Sequence, residues 1–268
     1  MALLSIQGPF DLVLTTERFR AFGVDRANVW HEGGLHRAVA GREVRIEPAP
    51  GGVDVEPLDG ETDPVVRILL GLAFELEPFY AWAERDDVLA AATRRLFGFR
   101  PVLAPDPFEM LVGAITAQQV SLYAAVAIRN RLIECFGRRL GSVWEFPRRE
   151  RVAQAGEAEL VALGFSRRKA EYTIGLARSD IDLHALALLP DDEVKGRLVA
   201  LHGIGEWTAD WFLARHLARP HAWPWGDLAL RKAVADLYGG LDVREARERF
   251  HPFENLSAHY LLLAHRHP

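Results

Sequence analysis

The sequence predicts an α+β fold that is predominantly α. Short alternating apolar runs separated by glycine turns fill the first 60 or so residues. From about residue 65 apolar residues recur at helical spacing instead. The connections between those helical stretches are short. Pro9-Phe10-Asp11-Leu12-Val13-Leu14, Glu43-Val44-Arg45-Ile46-Glu47 and Val53-Asp54-Val55-Glu56-Pro57 read as strands. Glu32-Gly33-Gly34 and Pro50-Gly51-Gly52 lie between such runs as hairpin turns. An antiparallel β-rich domain is therefore expected over residues 1–62, with a helix beside the sheet.

Val65, Ile68, Leu69 and Leu72 open the helical part. Residues 63–105 are expected to form a helical connection belonging to a C-terminal helical subdomain. Asp106 and Pro107 suit the N-cap and first position of a helix whose apolar stripe is Phe108, Leu111, Val112 and Ile115. Further helices are predicted at about 121–136, 149–163, 167–178, 191–201, 206–218, 228–238, 244–250 and 255–265. These give a central helical domain over 106–225. Helices of 226–268 then complete a cleft between the helical subdomains. Everything beyond about residue 65 is expected to be α.

The charge balance alone argues against a nucleic-acid partner, because the net charge is -5. Its distribution is uneven. Residues 43–87 hold 12 acids and 3 bases, whereas residues 129–169 hold 10 bases and 5 acids. A polyanion requires a basic face, not a basic protein, although a solvated charged surface would look the same. No apolar run approaches the roughly 18–20 residues that span a bilayer, and Met1-Ala2-Leu3-Leu4-Ser5 lacks a signal-peptide layout. A cytoplasmic location without a membrane partner is expected. Cys135 is the sole cysteine, which excludes an intramolecular disulfide and a four-cysteine zinc or iron–sulfur site. Beside Leu132, Ile133 and Phe136 it reads as a small core residue.

The informative stretch runs from Glu193 to Val234. Two predicted helices are joined by His202-Gly203-Ile204-Gly205, where paired glycines permit a tight turn and Ile204 can plug between the helices. Free N–H groups at the start of the second helix suit one phosphate, but an ordinary helix–helix turn is an equal reading. Trp207 and Trp211 share a helix face. Asp227 follows Trp223-Pro224-Trp225-Gly226 at the entrance of a further helix, where a plain N-cap role would account for it.

Leu201-His202-Gly203-Ile204-Gly205-Glu206-Trp207-Thr208-Ala209, with Asp227 twenty residues past Trp207, resembles the helix-hairpin-helix (HhH-GPD) DNA glycosylase superfamily. Within it the similarity is greatest to 3-methyladenine DNA glycosylase II. Asp106-Pro107-Phe108-Glu109 with Ile115–Ser121, Leu163-Gly164-Phe165-Ser166 with Arg167, Arg168, Lys169 and Ala170, and His251-Pro252-Phe253-Glu254 extend the resemblance over roughly residues 100–265. It reaches the β-rich part more weakly.

The resemblance implies a monofunctional enzyme that flips a damaged, alkylated base from duplex DNA and hydrolyses its glycosidic bond. Asp227 falls on the catalytic aspartate. Trp207 stands where lyase-active members carry a lysine, and a tryptophan cannot form a Schiff base. Trp207 and Trp211 are implied as base-pocket aromatics. Gln118 and Gln119 are implied as the wedge that fills the vacated stack. His202, Gly203, Ile204 and Gly205 are implied as the phosphate-binding hairpin. Backbone carbonyls of Val199, Leu201 and Ile204 are candidates for a Na⁺ or K⁺ ion. No other cofactor is implied. Arg167, Arg168 and Lys169 are candidate backbone contacts, or equally an exposed basic turn. Asp210 reads as structural, tying the second hairpin helix to its neighbours. Leu262 replaces a pocket tryptophan and Gln119 an apolar wedge, so both depart from the subfamily. Etheno, deaminated or oxidised bases, or silent DNA binding, remain alternatives. A monomer is expected.

Overall fold

The computed structural model describes residues 1–267. It opens with an antiparallel sheet in the order β1-β5-β4-β3-β2, comprising β1 (Ala2–Ser5), β2 (Asn28–His31), β3 (Gly34–Val39), β4 (Arg42–Ala49) and β5 (Gly52–Glu56). The predicted Glu32 and Pro50 turns join β2 to β3 and β4 to β5. Pairings Leu35↔Ile46, Ile46↔Val55 and Leu4↔Val53 put apolar residues on one face. That face packs on Val66, Leu69 and Leu70 of α3 (Asp63–Leu69) and its C-cap. The period-2 alternation thus buries one face of the sheet.

The run 9–14 is not a strand. Asp11 accepts the Leu14 N–H at 2.9 Å and starts α1 (Leu12–Thr15), which α2 (Arg18–Ala21) follows. An alternation confined to Phe10-Asp11-Leu12 does not outweigh a satisfied N-cap. The first helix after the sheet also departs from the expected grouping. Val66 and Leu69 of α3 belong to the sheet's own core rather than to the C-terminal helices.

Two helical cores follow. α4 (Leu76–Ala83) and α5 (Asp87–Arg95) pack with α13 (Leu228–Leu237), α14 (Val243–Arg249) and α15 (Glu254–Arg266) around Phe79, Phe250 and Tyr260. The other core is formed by α6 (Pro107–Ala117), α7 (Leu122–Phe136), α8 (Arg149–Ala153), α9 (Glu157–Ala162), α10 (Arg167–Arg178), α11 (Asp191–Val199) and α12 (Glu206–Arg215). Asp106 caps α6 through the Glu109 N–H at 2.7 Å, with Pro107 at the first turn as expected. The single helix expected over 149–163 is broken into α8 and α9, because Gly156 begins a new helix and its N–H is held by Glu159 at 2.8 Å. Cys135 is exposed, not core. Leu132, Ile133 and Phe136 turn inward from α7, and the Cys135 position lies outside that arc.

The region beyond residue 65 is not entirely α. A small hairpin of β6 (Arg138–Leu140) and β7 (Val143–Glu145) follows α7 and lies against β3. The Trp144 N–H donates to Arg26 O at 2.9 Å, which ties the hairpin to the N-terminal domain. A second tie is buried. Arg37 of β3 pairs with Glu109 of α6 at 2.6 Å, Glu109 with Arg129 of α7 at 2.5 Å, and Arg129 with Asp25 at 2.7 Å. The two positive and two negative charges balance within one low-dielectric cluster. Among the described residues no helix is long and apolar enough to cross a membrane.

Candidate active site

Asp227 is both the N-cap of α13 and a carboxylate on the wall of a cavity. Its Oδ1 accepts the N–H groups of Ala229 at 2.9 Å and Leu230 at 3.0 Å. Its Oδ2 accepts the indole N–H of Trp207 at 2.9 Å and of Trp211 at 3.0 Å. Four neutral donors, two on each oxygen, hold the carboxylate in one plane without cancelling its charge. The preceding loop is itself anchored. Buried Trp223 donates to Val243 O at 2.8 Å, and the Asp227 N–H to Pro224 O at 2.9 Å.

This carboxylate borders a cavity of about 270 Å³ between the N-terminal domain and both helical cores. The volume falls at the small end of ligand clefts, which run roughly 300–1,000 Å³. Trp207, Trp211 and Leu262 line it. The two tryptophans differ. Trp207 is half-buried, whereas Trp211 is 2% exposed. The Arg215 guanidinium carbon sits 3.6 Å from the Trp211 ring centroid, and His259 packs at 5.6 Å. A face covered by Arg215 is not a free platform for a base. Trp211 therefore departs from its expected stacking role and serves instead as wall and hydrogen-bond donor, which leaves Trp207 as the half-open aromatic.

Several cavity residues were not found in the sequence. Arg18, Phe19 and Phe22 come from or follow α2 in the N-terminal domain, and Arg215, His259 and Arg266 from α12 and α15. None carries a local motif, and only the fold brings them together. Arg266 pairs with Glu17 at 2.8 Å. Burial, then the charges of Arg215 and Arg18, push the His259 imidazole well below its ordinary range, so it is neutral at pH 7. Its Nε2 is buried without a partner. Burial also lowers Arg215, with Arg18 adding to the effect and Asp227 opposing it. An arginine keeps its proton at neutral pH regardless.

The hairpin forms as predicted between α11 and α12, with Ile204 buried at its centre. The two glycines have different reasons to be small. Gly203 adopts φ +85, and a Cβ there would fall 2.0 Å from Tyr172 Cγ. Gly205 has an extended backbone, and a Cβ would meet nothing within 4 Å. Gly205 also caps α12 without any side-chain hydrogen bond. Gly205→Ala is thus expected to leave thermal stability nearly unchanged. Gly203→Ala should lower Tm by several degrees. Thermal melts of both variants check this; a large drop in Gly205→Ala would contradict the open space at that position.

Gln118 is half-buried, and its side-chain amide donates to Gly203 O at 3.0 Å, joining the loop to the hairpin. Gln119 is exposed with φ +54, a left-handed conformation that few non-glycine residues adopt. Val120, Leu122 and Tyr123 are also exposed there, so the lip is apolar beside the glutamine, which the sequence reading missed. Arg167 and Arg168 are exposed. Lys169 departs from the expected surface contact: it is 8% exposed, and its ammonium donates to Thr116 O at 3.0 Å at the end of α6. Of the three carbonyls considered for an ion, that of Leu201 already accepts the Ile204 N–H at 3.1 Å. Asp210 does tie α12 to α11, through Lys195 at 2.8 Å.

The fold and site together define a helix-hairpin-helix protein with one pre-oriented acid at an interdomain pocket. Residues 112–255 match the HhH-GPD superfamily of base excision DNA repair proteins, and the chain belongs to that family. It is 32% identical over 168 residues to DNA-3-methyladenine glycosylase of Bacillus subtilis (strain 168), covering 60% of this chain and 55% of that protein. It is 34% identical over 137 residues to DNA-3-methyladenine glycosylase 2 of Escherichia coli (strain K12), covering 48% and 49%. The chain thus spans about half the length of these curated relatives. A solved 3-methyladenine DNA glycosylase from Archaeoglobus fulgidus superposes with a TM-score of 0.89 at 28% identity, over 100% of this chain and 99% of that one. The likeness therefore includes the N-terminal sheet.

Proposed function

We propose that the protein is a monofunctional DNA glycosylase that everts an alkylated base from duplex DNA and hydrolyses its N-glycosidic bond. One observation carries this reading: Asp227, fixed by Ala229, Leu230, Trp207 and Trp211, faces a base-sized cavity beside an uncapped hairpin. Glycosidic cleavage builds oxocarbenium-like positive charge on the sugar. A carboxylate already oriented beside that charge stabilises it without reorganising. An alkylated purine is cationic and leaves as a neutral base, so it requires no general acid. Everting a nucleotide costs a few kcal/mol of unstacking, which Gln119 and the apolar lip would offset by filling the gap. The N–H groups at Gly205, with Arg167 and Arg168, would hold the phosphates.

A second reading of the substrate rests on Arg215. A half-buried guanidinium lining the pocket repels a cationic base and donates well to a carbonyl, which favours a neutral deaminated or oxidised base. Leu262 adds a wall without an aromatic face. Duplexes carrying single lesions distinguish the two. The first reading expects free 3-methyladenine and 7-methylguanine and an intact, alkali-labile strand. Release of hypoxanthine or an oxidised purine alone would favour the second. Strand cleavage without alkali would overturn the role of Trp207, and no release from any lesion would reject the enzyme.

A further inference from the structure

Away from the cavity, three metal-ligating side chains converge on the opposite end of α15. His221 lies in the loop between α12 and α13. His251 and Glu254 flank the entrance of α15, Glu254 being its first residue. His221 Nδ1 lies 3.0 Å from Glu254 Oε2, and His251 Nδ1 lies 3.2 Å from Oε1. One ligand atom from each residue can be chosen so that all lie within 4.8 Å of one another. The imidazoles stack with centroids 5.1 Å apart and 20° between planes. None of the three residues lines the cavity.

We propose that His221, His251 and Glu254 form a three-ligand, zinc-class metal site that clips the loop after α12 to the start of α15. Two imidazole nitrogens and a carboxylate oxygen are the donor set of a borderline divalent ion, with solvent supplying the fourth position. Bonds of about 2.0–2.1 Å place tetrahedral ligands about 3.3 Å apart. The spacings of 3.0 and 3.2 Å run to different oxygens of the Glu254 carboxylate, and either one is close to that edge. Rotation of the exposed imidazoles would close the other two edges of a site on one carboxylate oxygen.

The alternative is a carboxylate accepting two Nδ1–H bonds with no ion. In either case the rings are accessible, His251 being 65% and His221 47% exposed. Glu254, by contrast, is 3% exposed and fixed. Its neighbour Asn255 donates through its side chain to Ala214 O at 3.1 Å and Arg219 O at 2.9 Å, and through its backbone N–H to Pro220 O at 3.0 Å. The segment that bears His221 is therefore already docked on α15, and an ion would find its ligands in place. The nearby cation, Arg85, donates to the backbone carbonyl of His251 and lies over Trp82, not on the ligand atoms.

The full chain, dialysed against chelator, tests this with Co²⁺ alone and then Zn²⁺. The expected result is an intense visible d–d spectrum of tetrahedral cobalt, bleached by one equivalent of Zn²⁺, and a Tm that rises with Zn²⁺. His221→Ala and His251→Ala, both at exposed positions, should each abolish the spectrum and the Tm rise. Glu254→Gln serves as a third variant if it folds. No tetrahedral spectrum, or a spectrum and Tm response that survive in both histidine variants, would overturn the proposal.

Discussion

Asp227→Asn is expected to lower base release by about 10³-fold, at the upper end of losses seen when one transition-state electrostatic contact is removed. DNA binding should persist. Asparagine keeps the size and one acceptor oxygen. If that oxygen stays with the Ala229 and Leu230 N–H groups, the helix cap survives. The amide NH₂ then faces the indole N–H groups of Trp207 and Trp211, donors against a donor. The substitution thus removes the negative charge and also loosens the tryptophans. A small drop in Tm, of the order set by one lost cap or hydrogen bond at about 1 kcal/mol, should accompany it. Single-turnover release rates with parallel binding isotherms check this. A rate within tenfold of the parent would remove Asp227 from the chemistry.

Glu109→Gln is expected to cost about 3–5 kcal/mol, because it leaves Arg37 and Arg129 facing each other around a neutral amide with only Asp25 to balance them. At roughly 2–4 °C per kcal/mol for a chain of this size, Tm should fall by about 10 °C. Burial alone would raise the Glu109 carboxyl, but Arg37 and Arg129 outweigh it and hold the group below its ordinary range. Asp25 is lowered likewise, with burial opposed by Arg129. For carboxyls depressed in the folded state, the contribution is complete above the unfolded pKa near 4. It is lost as pH falls through the folded values. The parent should therefore lose stability steeply below about pH 4, and Glu109→Gln less steeply. Equal acid slopes for the two proteins would contradict the role of the cluster.

The parts of the molecule legible in the sequence were those with local chemistry. Asp106-Pro107, the Gly203-Ile204-Gly205 turn and Asp227 at a helix entrance each state their geometry within four residues. The buried cluster was not legible. Its partners are 72, 20 and 104 positions apart, and no spacing rule links Arg37 to Glu109 or Asp25 to Arg129. The same holds for Arg18 and Phe22, which reach the cavity only because the sheet carries α2 onto α15. The β6–β7 hairpin escaped because three-residue strands are shorter than the alternation needed to detect them. Lys169 was misjudged because a long side chain on a basic turn can bury its stem and still find a carbonyl. Arg215, one helical turn past Trp211, was within reach by spacing, but the sequence does not say which way its guanidinium turns.

The amide of Gln118, fastened to the carbonyl of Gly203, has a mechanical consequence for the proposed reaction. The finger that probes the stack and the clamp on the strand become a caliper with fixed jaws. Wherever the clamp seats, the finger tests the helix at one set distance. A sound pair resists the push, and a weakened one yields. Inspection would then consist of repeated local prodding during transit along the duplex, with no separate reading of each base.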